Sequence, residues 1–77
     1  MTDRIKKATS HMKEARIQIL NAQSEVTKLL EEKDMSNEAI FALHHTNIQC
    51  TLAFERMGSA ISGLCRAEKV MESDSNG

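Results

Sequence analysis

Glu31-Glu32-Lys33-Asp34-Met35-Ser36-Asn37-Glu38 is the stretch on which the fold turns. Apolar residues recur at helical spacing on both sides of it, and within it that spacing fails. The run also carries the start signal of a new helix. Ser36 reads as an N-cap, and Glu38 sits in the next first turn, where the helix dipole favours a carboxylate. Met35 and Ile40 occupy the two positions of a hydrophobic staple. So short a connection between two long helices sets them antiparallel.

Upstream of the break a helix is expected from about Thr2 to about Lys33, with Asp3 in its first turn. Ile5, Met12, Ile19 and Val26 recur every seven residues, and Ala8, Ala15, Ala22 and Leu29 follow each by three, so both apolar positions of a heptad are filled. Downstream a second helix is expected from about Asn37 to about Glu72. Ile40, Asn47, Phe54 and Ile61 take one seam position there; Leu43, Cys50, Met57, Leu64 and Met71 take the other. Ala39, Thr46, Ala53, Ala60 and Ala67 flank that seam on one side and Thr51, Gly58 and Cys65 on the other, small enough to let helix axes approach closely. Residues 73–77 are polar and are expected to be disordered.

The chain has no Pro, Trp or Tyr and only 3 Gly, which favours helix over sheet. The expected fold is all-α: one domain over 1–77, an antiparallel two-helix hairpin with its loop at 34–36, dimerising into a four-helix bundle. Its core residues, of hairpin or dimer, would be Ile5, Met12, Ile19, Val26, Leu29, Ile40, Leu43, Cys50, Phe54, Met57, Ile61 and Leu64. At 77 residues a single core only marginally offsets the entropy of folding, so help from association is expected.

The second helix has more apolar surface than one seam needs. Between Ala39 and Cys65 its only charges are Glu55 and Arg56, where a helix packed on one partner would show a charged outer face. Phe41, His45, Ile48 and Leu52 are spaced by four, three and four residues, which makes a second stripe away from the seam. Ile17 and Leu20 lie off the seam of the first helix and would come level with the region of Cys50 to Ala53. Such residues could simply rim a monomeric core, but a two-helix hairpin has little core to rim. Burial by association accounts for them better, with a second copy or with another protein.

Site chemistry is sparse. His44 and His45 are adjacent and diverge by about 100°, no His-x-x-x-His or Cys-x-x-Cys occurs, and His11 lies near the other end, so no metal site is expected. Cys50 and Cys65 are too few for a disulfide framework. Cys50 reads as a small seam hydrophobe, Cys65 on the flank is read similarly, and no basic cluster is expected near either thiol. Asn47 on the seam either sets register or is solvated. Without a Gly-rich phosphate loop or a convincing carboxylate pair, neither enzyme activity nor a cofactor is expected.

The expected function is therefore that of a non-catalytic protein-binding regulator, an inhibitor or adaptor. It would work as a hairpin dimer that occludes a hydrophobic surface on a protein target. Phe41, Ile48, Leu52, Ile17 and Leu20 would supply the contact, with His45 and Arg56 at its margin. Its partners would be a second copy of itself and that target. One alternative is a chaperone or co-chaperone for a helical assembly subunit. Another is a nucleic-acid-binding dimer using Arg4, Lys6, Lys7, Lys13 and Arg16, although the net charge is only −1 and no stacking aromatics accompany them. No signal peptide or membrane-length apolar run is read in the sequence, and a cytoplasmic protein with reduced thiols is expected.

Overall fold

The computed structural model describes residues 2–76 and consists of two helices, α1 over Thr2–Leu30 and α2 over Asn37–Asn76. They pack side by side as an antiparallel hairpin, with Gln23 on α1 bonded to the Asn47 and Thr51 turn of α2 and Arg16 to Phe54. These bonds fix the register: a residue of α1 and the α2 residue level with it have numbers that add to about 72. Thr2 thus comes level with Val70, and α2 overruns α1 beyond it. The Cα atoms fill a box of 63 × 15 × 12 Å, and the long edge is the length of α2 at about 1.5 Å per residue.

The start of α2 follows its sequence signal. Ser36 Oγ accepts a hydrogen bond from the Ala39 amide at 3.2 Å, and the Ser36 carbonyl accepts from the Ile40 amide at 3.1 Å. Met35 and Ile40, the staple residues, are both half-buried. The other boundaries differ from expectation. Helix α1 ends at Leu30 rather than near Lys33, because the Glu31 and Glu32 amides bond back three residues, to the Lys28 and Leu29 carbonyls. That tighter turn uses up the last carbonyls and takes the chain off the helix axis. The connection is accordingly 31–36, longer than the expected 34–36. Helix α2 continues through Asn76 instead of stopping near Glu72, since neither Gly nor Pro stands between Gly63 and Gly77 to end it. The expected disorder at 73–76 is thus replaced by helix, while Gly77 lies outside the described residues.

No residue between 2 and 74 is buried. The expected core residues Ile5, Met12, Ile19, Val26, Ile40, Leu43, Cys50, Phe54, Met57, Ile61 and Leu64 do line the contact between the helices, but each is half-buried. Two helices touch along one line, and a side chain on that line keeps water on both flanks. Leu29 departs further, at 42% exposure. A straight helix drifts by about 20° per heptad against a strict seven-residue repeat. Over three heptads from Ile5 the row Ala8, Ala15, Ala22, Leu29 turns outward, and the half-buried row Thr9, Arg16, Gln23, Leu30 turns in to replace it.

Candidate protein-binding face

Two polar contacts mark one edge of the helix–helix seam. Gln23 Nε2 donates to Thr51 Oγ1 at 2.8 Å and to the Asn47 carbonyl at 3.3 Å, and Thr51 Oγ1 in turn donates to that same carbonyl at 3.2 Å. The Asn47 side chain points into this layer with its Oδ1 enclosed and without a hydrogen-bond partner. Two turns away Arg16 Nε donates to the Phe54 carbonyl at 3.3 Å, and its guanidinium lies over the Phe54 ring, 3.8 Å from the centroid. Gly58 makes room for it: a Cβ there would stand 2.7 Å from Arg16 Nη2.

Five of the exposed large apolar residues lie outward from this edge, on the same side of the hairpin. Stepping back three residues along a helix turns by about 60°, and stepping forward one turns by about 100° the same way. Leu20 is three residues before Gln23, and Ile17 directly follows Arg16. On α2, Ile48 is three residues before Thr51 and Leu52 directly follows it, while Phe41 and His45 repeat these two positions one heptad earlier. Phe41 is 78% exposed, Ile48 59%, Ile17 56%, Leu20 46% and Leu52 40%. Lys13, Arg16, Ile17, Leu20 and Phe54 line an open depression within this side. His45 is exposed beside Phe41, and Arg56, also exposed, stands one turn past Leu52 at the outer margin.

Every residue expected to form the contact surface is therefore at the surface, and periodicity on both helices brings them to one side. Val70, 54% exposed, was outside both expected stripes and stands apart on α2 near the N-terminal end of α1. Leu29 was also missed as a surface residue, and counting the 20° drift along α1 would have found it.

The basic residues of α1 do not converge. Arg16 is folded onto Phe54. Lys6 and Lys13 share an open depression with Thr9, Ser10, Cys65 and Glu68, whereas Arg4 and Lys7 border another with Asp3, Ile5, Ala8, Leu64 and Met71. Cys65 is thus close to two lysines that are more than fifty residues away in sequence. Both thiols are free, Cys50 half-buried and Cys65 exposed. Among the described residues no three His, Cys, Asp or Glu side chains are grouped to hold a metal ion, and no helix is long and apolar enough to cross a membrane.

Fold and surface together define a class: an all-α helical hairpin with one apolar side open to solvent. No family model, curated protein or solved structure matches the chain.

Proposed function

We propose that the chain is a non-catalytic protein-binding regulator whose working surface is the side formed by Ile17, Leu20, Phe41, Ile48 and Leu52. One observation carries this reading. A hairpin that buries none of its described residues nevertheless gathers five large hydrophobic side chains on one side. Scattered exposed hydrophobes are ordinary, but a group gathered on one side and flanked by polar side chains is the mark of an interaction surface.

The mode of action is occlusion. The long, rigid α2 lays its apolar side on a complementary helix or groove of the target. Specificity then falls to the margin, where His45 and Arg56 offer polar and charged contacts.

The test is quantitative capture of proteins from the native host on immobilised wild-type and Leu52→Asp chains, with circular dichroism to show that both are helical. Burial of one leucine is worth about 2 kcal/mol, so the substitution should lower retention of a true target at least tenfold. Equal retention of every captured protein by the two chains would remove the reading.

A further inference from the structure

We infer that the apolar side is also the seat of a second copy of this chain, packed head to tail across a two-fold axis that passes near Ile48. The inference rests on the proposed binding face and adds what occupies it when no target is bound.

Surface area is the first observation. A folded monomer of 8.6 kDa is expected to expose about 4,700 Å² from the general scaling of surface with mass. This chain exposes 6123 Å². The excess, about 1,400 Å², is larger than the ~800 Å² per partner of a standard interface and lies in the range of obligate dimers. A second copy of the same face meets that requirement with no other component.

Charge decides the direction of packing. The patch runs from Phe41 to Leu52 on α2, and Leu20 and Ile17 of α1 come level with its far end, so its centre is near Ile48. About 15 Å to one side lies the loop end, where Glu31, Glu32, Asp34 and Glu38 outnumber Lys33. About 16 Å to the other side lies Lys13, followed by Lys6 toward the open end. A two-fold axis across the rod at Ile48 lays α2 of each copy along α2 of the other in reverse, which brings the acidic loop of each copy to Lys13 of the other and sets His45 against Leu52. Side-by-side packing with the loops together would instead align each lysine with its own equivalent and each carboxylate cluster with its own, which like-charge repulsion disfavours.

The head-to-tail arrangement makes a distinctive cross-linking pattern. In a background of Cys50→Ala and Cys65→Ser, Ile48→Cys sits near the axis and should form a disulfide between copies under mild oxidation. Phe41→Cys should not link to itself, because its two copies are separated by about 21 Å along the rods. His45→Cys mixed with Leu52→Cys should give the heterodisulfide. The unmodified chain should have a light-scattering mass of twice 8.6 kDa, and Ile48→Asp should have 8.6 kDa. As the Asp variant could lose its helices when unpaired, helicity of the wild-type chain is followed on dilution and should fall together with its mass.

A wild-type mass of one chain throughout, self-linking of Phe41→Cys, or failure of the mixed pair to link overturns the inference. A dimer that captures no target removes the regulator reading and leaves this one standing; a monomer that captures a target does the reverse.

Discussion

Arg16 and Gly58 show how much of this hairpin depends on single side chains. The guanidinium is held between a carbonyl and a ring on the facing helix, and it fits because residue 58 has no Cβ. A glycine within a helix is destabilising by about 1 kcal/mol relative to alanine, so Gly58→Ala alone should be a gain. Here the added methyl displaces Arg16, whose stacking and hydrogen bond are each worth about 1 kcal/mol or less. The two effects should nearly cancel in the natural chain. In an Arg16→Ala background the full gain of about 1 kcal/mol should appear, and urea unfolding of the four chains reads the difference. This pairing was not legible in the sequence, where Arg16 and Phe54 are 38 positions apart and an arginine on a helix reads as solvated. Asn47 was legible as an anomaly, an amide in an apolar row. Its enclosed, unpartnered Oδ1 and its Gln23 and Thr51 neighbours needed the register of the hairpin.

At the scale of the element, the beginnings were easier to read than the ends. Ser36 announces α2 chemically, and the hydrogen bond from Ala39 confirms its capping role. Replacing it by alanine should cost about 1 kcal/mol, seen as a lower urea midpoint with an unchanged slope. The helix ends have no such marker. No glycine follows Leu30, and α1 stops there through backbone bonds of the Glu31 and Glu32 amides that no side chain encodes. The heptad rows located the contact line correctly on both helices. They overstated its depth at Leu29, because a seven-residue count ignores the slow rotation of a straight helix.

Taken whole, the molecule is a rod 63 Å long with a contact line instead of a core. The hairpin form was readable from two amphipathic runs and a polar break. The absence of any buried residue among those described was not, since a heptad marks which residues face inward and not how many neighbours enclose them. If a second copy covers its apolar side as proposed, such a rod draws stability from that contact, and binding that favours the folded state raises the melting temperature with concentration. Thermal unfolding followed by circular dichroism should therefore shift upward by several degrees per hundredfold increase in chain concentration. If target and second copy share one surface as proposed, they compete for it, and target occupancy should then rise only with the square root of chain concentration once the dimer predominates.

The lack of a buried side chain among the described residues also bears on how long the protein lasts. Proteases cut chains in their opened state, at a rate that follows how often that state is visited. A lone hairpin opens with little to oppose it, while a covered one must first part from its neighbour. On the proposed association, turnover in the cell would be tied to occupancy: copies in excess of what their partners can cover would be the ones degraded, and the amount of protein would adjust to the amount of surface available to receive it.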